Sequence, residues 1–318
     1  MRKIIIMLLC LLFILAACQE QENTNDNSQS FIGGSSGLLI NFQEGEPPIE
    51  VTDGAQMDFT ATVKLENQGE AEVASEDISL TLKGFDAISF GVEDPAALQD
   101  VNPSENILAN NINPDTGEAI DAPPVYYTFP ILNYQEDLSG NSVFPFVVDV
   151  CYNYQTLATA SLCVKEDLLD STDADVCTVS GTKDVQNSGA PVHITEFKEF
   201  TAGQDKVSFS FTVKNVGNGL LSDLNKDCDQ TPANKDYVTV IVDTHLDGLT
   251  CSGLTNGAEV TDSTAYSGKV KLTTGEKQVR CTQTISEADR TDKVMITDFT
   301  LNYDYQESTR KQVLVKHI

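Results

Sequence analysis

The sequence predicts an all-β chain organised as two tandem β-sandwiches, and three observations carry that expectation. Residues 59–65 (FTATVKL) and 207–213 (VSFSFTV) alternate apolar and polar side chains with the two-residue period of a strand that buries one face. No stretch of the mature chain shows the longer period of an extended amphipathic helix. The two halves also resemble each other. Tyr152-Asn153-Tyr154-Gln155 matches Tyr303-Asp304-Tyr305-Gln306 at an offset of 151 residues, and Leu162-Cys163-Val164-Lys165 matches Val313-Leu314-Val315-Lys316 at the same offset. Near the front of each half, Phe59, Ala61, Val63 and Leu65 match Val207, Phe209, Phe211 and Val213 at an offset of 148. Three matches in order at nearly one offset mark an internal duplication.

Taken in chain order, residues 1–17 read as a cleaved signal peptide. Arg2 and Lys3 form a short positive start, residues 4–14 an apolar run, and Leu15-Ala16-Ala17 leads to Cys18. The run is shorter than the ~20 apolar residues needed to span a bilayer. Leu15-Ala16-Ala17-Cys18 resembles a prokaryotic lipobox, which makes Cys18 the lipidated first residue of the mature protein. Residues 18–34 form a polar tether with few apolar groups. Residues 35–165 are expected to be the first sandwich and 166–190, rich in Glu, Asp, Ser and Thr, a linker. Residues 191–318 are expected to be the second sandwich, long enough for a core of its own. Further strands are expected over 78–82, 126–132, 144–154, 237–242, 270–272 and 294–305. Asn67-Gln68-Gly69 and Asn215-Val216-Gly217 read as turns, with Asn capping its own backbone and Gly accepting a positive φ.

The chain carries 20 basic and 48 acidic residues; without Arg2 and Lys3 the formal charge falls from −28 to −30. Such a surface repels phosphate backbones, so nucleic-acid binding is excluded as a function class. Cys10 leaves with the signal and Cys18 is committed to lipid, leaving Cys151, Cys163, Cys177, Cys228, Cys251 and Cys281. An even set in an exported chain, without close C-x-x-C pairs, reads as three disulfides. The expected pairs are Cys251 with Cys281, Cys151 with Cys163 across a hairpin turning near 155–159, and by remainder Cys177 with Cys228. That turn lacks Gly or a strong turn pair, and a shift in it would instead join Cys163 to Cys177.

The run of residues 207–219, ending Thr212-Val213-Lys214-Asn215-Val216-Gly217-Asn218-Gly219, resembles the start of the immunoglobulin-like CARDB-type domains of archaeal and some bacterial surface proteins. The first half resembles a diverged copy, with residues 64–71 in place of that turn. The resemblance implies Ig-like sandwiches of about seven strands, used as spacers or adhesion modules, and implies no catalytic residues.

Candidate chemistry is sparse. Gly33-Gly34-Ser35-Ser36-Gly37 spells the G-x-S-x-G nucleophile elbow, but that motif needs a strand before it and a helix after it, and here a tether precedes a strand-like segment. His193, His245 and His317 stand singly, without the paired spacing of a zinc site. Asp223, Asn225, Asp227 and Asp229 place oxygen ligands at alternate positions, as a calcium-binding EF-hand loop begins. Cys228 takes the place of its glycine and Asn234 that of its bidentate acid, so calcium binding there would be of low affinity; the competing reading is a solvated acidic loop pinned by a disulfide. The sequence therefore describes a non-enzymatic lipoprotein outside the cytoplasmic membrane, held by its N-terminal lipid and contacting other surface proteins, with no cofactor. The rival reading is a lipid-anchored solute- or calcium-binding protein.

Overall fold

The structure, a computed structural model, describes residues 30–169 and 176–318. The signal, Cys18 and most of the tether lie outside them. The described residues form strands joined by turns, with two short 3-10 segments, Ser75–Asp77 and Pro95–Leu98. The first half supplies β1 (Leu38–Phe42), β2 (Glu50–Thr52), β3 (Thr62–Asn67), β4 (Ile78–Lys83), β5 (Asn111–Ile112), β6 (Ala119–Ile120), β7 (Val125–Thr128) and the long β8 (Ser142–Val164). The second half begins with β9 (Gly181–Thr182), β10 (Val185–Asn187), β11 (Val192–Thr201), β12 (Lys206–Asn215), β13 (Leu220–Ser222) and β14 (Tyr237–Asp243). It continues with β15 (Leu249–Ser252), β16 (Thr255–Glu259), β17 (Ala265–Lys271), β18 (Glu276–Thr284) and the long β19 (Lys293–Lys316).

The architecture hangs on β8 and β19. They pair antiparallel without a slip over the whole of β8, from Ser142 opposite Val315 to Val164 opposite Lys293. At roughly 3.3 Å per residue, 23 residues make a ribbon about 75 Å long. One face of it is buried through most of its length. On β8, Phe146, Val148, Val150, Tyr152, Tyr154, Thr156, Ala158, Ala160 and Leu162 are all buried, and on β19 Met295, Thr297, Phe299, Leu301, Tyr303 and Tyr305 share that face.

Around this ribbon grows a nine-stranded sheet in the order β10-β8-β19-β14-β17-β16, with β4 on β8 and with β13 and β2 on β19. Two smaller sheets cover different parts of its buried face. The sheet β1-β3-β7 covers the first part, where Phe59 beside it meets Phe146 of β8 at 6.0 Å between ring centroids and Phe85 stacks on Phe146 at 4.2 Å. The sheet β15-β18-β12-β11-β9 covers the second part, where Phe211 and Phe197 meet Phe299 of β19 at 4.9 and 5.9 Å. The protein is thus all-β and two-layered in both halves. The regions expected as sandwiches, 35–165 and 191–318, each receive the far part of the other's last strand.

The hairpin expected near 155–159 does not form. Residues 151 and 163 lie on the one continuous strand β8, twelve residues apart along it, or roughly 40 Å, so a Cys151–Cys163 bridge is impossible. With it falls the Cys177–Cys228 pair. Cys151 instead joins Cys228 and Cys163 joins Cys177, with Cα separations of 5.8 and 5.6 Å. Cys251 and Cys281, directly opposed on β15 and β18, form the third bridge as expected.

Because residues 155–164 of β8 complete the second sandwich, a fragment of residues 190–318 should give no cooperative thermal transition by circular dichroism. The mature chain should melt in a single transition. Two separate transitions in the mature chain would contradict a shared sheet.

Candidate functional site

The duplication has a geometric expression at the centre of the ribbon. Asn153 and Asp304 occupy equivalent places in the two copies, and they are also paired with each other. A local pseudo-twofold axis therefore passes between them. Around it the duplicated tyrosines form a closed ring of contacts: Tyr152 to Tyr154 at 5.6 Å, Tyr154 to Tyr303 at 6.5 Å, Tyr303 to Tyr305 at 6.1 Å and Tyr305 to Tyr152 at 6.0 Å. All four are buried.

Each buried hydroxyl has a partner, and the partners repeat. The Tyr154 hydroxyl donates to Asn67 Oδ1 at 2.9 Å, which also accepts Gly69 N–H. In the second copy the Tyr305 hydroxyl donates to Asn215 Oδ1 at 3.2 Å, which accepts Gly217 N–H. Neither glycine has a positive φ. Their requirement is closeness: a Cβ on Gly69 would lie 2.2 Å from the Tyr154 oxygen, and one on Gly217 2.4 Å from that of Tyr305. The Asn-x-Gly motif is a socket for a tyrosine of the shared sheet. Tyr303 and Thr156 share a hydrogen bond at 2.9 Å, while at the equivalent place Tyr152 approaches Glu307 at 3.4 Å. Burial pushes the pKa of Tyr152 and Tyr303 well above the ordinary phenol value and that of Tyr305 up to about 12; it also raises Glu307.

The acidic run at 223–229 lies over the other face of the ribbon, and its backbone explains its shape. Asn225, Lys226 and Cys228 donate their N–H groups to the buried carboxylate of Asp304 at 2.8, 2.7 and 3.3 Å. Asn225, Asp227 and Cys228 have positive φ, which aims successive N–H groups inward. The Cys151–Cys228 bridge fastens the same loop to β8. The four predicted oxygen ligands are directed elsewhere. Asp223 pairs with Lys269 at 2.6 Å, the Asn225 side chain accepts from Asn153, and Asp229 accepts from Thr231 and Asn234. Asp227 lines a shallow cleft with Glu76 and Asp77. Among the described residues no group of three or more His, Cys, Asp or Glu side chains is placed to hold a metal ion.

The remaining candidates are dispersed. His193 meets the Gly34 carbonyl at 3.0 Å, His245 the Asp298 carboxylate at 2.8 Å and His317 that of Asp53 at 2.8 Å, in three separate places. Residues 33–37 run straight into strand β1. Cys18 lies outside the described residues. Beside the axis, between β1 and β13, opens a hollow of about 510 Å³ whose walls include Leu38, Leu39, Ile40, Leu220, Gln306 and Glu307. Nothing in the period-two pattern distinguishes Asp304 or Glu307, but the duplication does: they stand where the first copy has Asn153 and Thr156.

No protein-family profile matches the chain, so its resemblance to CARDB-type domains rests on the residues quoted for it. No curated protein matches it. Among solved structures it is similar to the Enterococcus faecalis MSCRAMM ACE, which binds its ligands by the collagen hug model. The two are 11% identical over 91% of this chain and 98% of that one, with a TM-score of 0.23. The secreted serine protease VesC from Vibrio cholerae is 9% identical over 84% of this chain and 50% of that one, with a TM-score of 0.17. The collagen adhesin CNA from S. aureus is 12% identical over 89% and 88%, with a TM-score of 0.12. Similarity at this level transfers neither topology nor function.

Replacing Asp304 with Ala should strand three inward N–H groups and lower stability by more than about 2 kcal/mol in urea unfolding, whereas Asp304→Asn should cost less. A second prediction concerns Glu199, fully buried on β11. It accepts the Cys163 N–H and lies 3.2 Å from Lys183 Nζ. Burial raises its pKa from 4.5 to about 7, against the pull of these two partners. Its proton is therefore held more tightly in the folded state. The resulting stability should be complete below about pH 4.5 and lost as pH rises through about 7. In Glu199→Gln, the fall in melting temperature between pH 5 and pH 8 should be smaller than in wild type.

Proposed function

We propose that this chain is a non-enzymatic, lipid-anchored surface protein that presents an inflexible, Ig-like double sandwich for contact with other proteins outside the cytoplasmic membrane. The observation that carries this reading is the continuous β8–β19 ribbon. It leaves no hinge between the halves where it crosses from one sandwich to the other, so a ligand held at the distal end keeps a fixed orientation to the tether. The signal and lipobox at residues 1–18, the polar tether behind them and three disulfides suit an oxidising compartment at the cell surface. A formal charge near −30 for the mature chain favours solubility and works against anionic partners. The CARDB-like run at 207–219 fits a spacer or adhesion role.

Cys18→Ser tests the anchor. The wild-type protein should partition with membranes, carry an acyl mass addition on its N-terminal peptide and be cut by protease added to intact cells. The variant should appear in the medium or retain its uncut signal. A membrane-retained mature form without acyl mass, or resistance to external protease in permeable-walled cells, would sink this reading.

A further inference from the structure

One edge of the ribbon is interrupted. Along the side of β19 away from β8, β13 pairs antiparallel at Asp304–Gln306 and β2 pairs parallel at Leu314–Lys316. Between them, among the described residues, no strand is hydrogen-bonded to 307–313, although β1 of the facing sheet passes close to β19. The direction of the backbone there follows from its neighbours. Leu314 N–H donates outward to Ile49 at 2.8 Å, and the Lys316 carbonyl accepts Asp53 N–H at 3.0 Å. By the alternation of a ladder, Ser308, Arg310 and Gln312 also aim their N–H and C=O groups at the open edge. The unpaired stretch is roughly 23 Å long. An unpaired edge inside a sheet is a template for another strand.

The second sandwich shows what such a place accepts. The counterparts of residues 309–311 are Ala158–Ala160 of β8, and there β10 is hydrogen-bonded as an antiparallel strand. The segment preceding β1 that corresponds to β10 follows another course in the first copy. Ile32 and Gly33 donate to Glu70, and Ser30 donates to Gln186 of β10 itself. The chain thus enters at the edge of the ribbon opposite the gap, and its tether, residues 19–29, has no apolar side chain. The gap does have apolar flanks: Leu39 and Leu220 at one end are 42% and 50% exposed, and Ile49 at the other is 73% exposed.

We propose that the edge of β19 between β13 and β2 receives an extended segment of a partner protein, added antiparallel as an extra strand with apolar side chains at both ends. This deepens the protein-contact reading above and rests on it. A second copy cannot supply the strand from its own β19 edge, because that edge is recessed between flanking strands in the same way. A free tail or loop fits.

The test uses residues 19–318, the mature chain without its lipidated Cys18, panned against a phage-displayed library of random twelve-residue peptides, with hydrogen exchange as readout. Alone, the amides of Ser308, Arg310 and Gln312 should exchange far faster than those of Thr309 and Lys311. Selected peptides should carry apolar residues near both ends, slow those three amides, and bind Arg310→Pro at least tenfold more weakly. That proline removes an outward N–H and leaves the β8 ladder intact, so the variant should keep a cooperative melt; Ser308→Pro is the second blocking variant should it not. Three results would overturn the proposal: no binder from the library, binders indifferent to both prolines, or the three amides already protected in 19–318 but not in 30–318, which would place the tether there. None of these would alter membrane anchoring through Cys18, so failure here is separable from failure of the broader reading.

Discussion

The long antiparallel pairing of β8 with β19 is the constraint from which the rest of the structure follows. Two copies of one ancestral strand pair with each other about an axis between Asn153 and Asp304. In an antiparallel ladder, directly opposed residues project to the same face. Pairing a residue with its own counterpart therefore puts the apolar faces of both copies on one side of the ribbon. Any one-residue slip between the two strands would turn one strand's set, Phe146 and Tyr152 or Phe299 and Tyr303, to the solvent side. Register is held by a face as long as the molecule, and the two smaller sheets have only to cover it.

The copies have diverged where the axis brings them together. Asn153 against Asp304 gives the second copy a carboxylate that gathers three backbone N–H groups from the 223–229 loop. Thr156 against Glu307 replaces a hydroxyl with a half-buried acid at the mouth of the hollow. Cys151 against Asn302 lets only one side of the ribbon anchor the loop covalently. Buried polar groups of this kind cost free energy unless they are satisfied, and here the Asp304 carboxylate is held by fixed dipoles rather than by a cation.

Much of this was legible in the residues themselves. Alternation identified most of the strands, the repeat identified equivalent tyrosines, and Cys251 and Cys281 were expected as partners. The pairing of Cys151 was not, because a turn was assumed at 155–159 where Thr and Ala, small and neither clearly apolar nor turn-forming, continue the alternation. Thr156, Ala158 and Ala160 are buried like their larger neighbours. The missing Gly, Pro or Asn pair in that stretch was the signal that the strand runs on. The sockets at Gly69 and Gly217 were read as turns because a motif reveals backbone freedom more readily than it reveals a tyrosine arriving from 87 or 90 residues away. Asp304 was hidden for a similar reason: its partners lie 76 to 79 residues earlier in the chain.

The separation of β8 from β19 along the chain bears on how the protein is made. Ser142 waits for Val315, and the first sandwich needs residues 304–316 to complete its larger sheet. When a chain emerges N-terminus first, its early half normally folds while the rest is still arriving. Here neither half can close until β19 is present, since that strand belongs to both. The polypeptide therefore faces a slow, non-local search for partners. Truncation before or within β19 would damage both sandwiches, and a chain cut short there in synthesis would carry its defect at both ends.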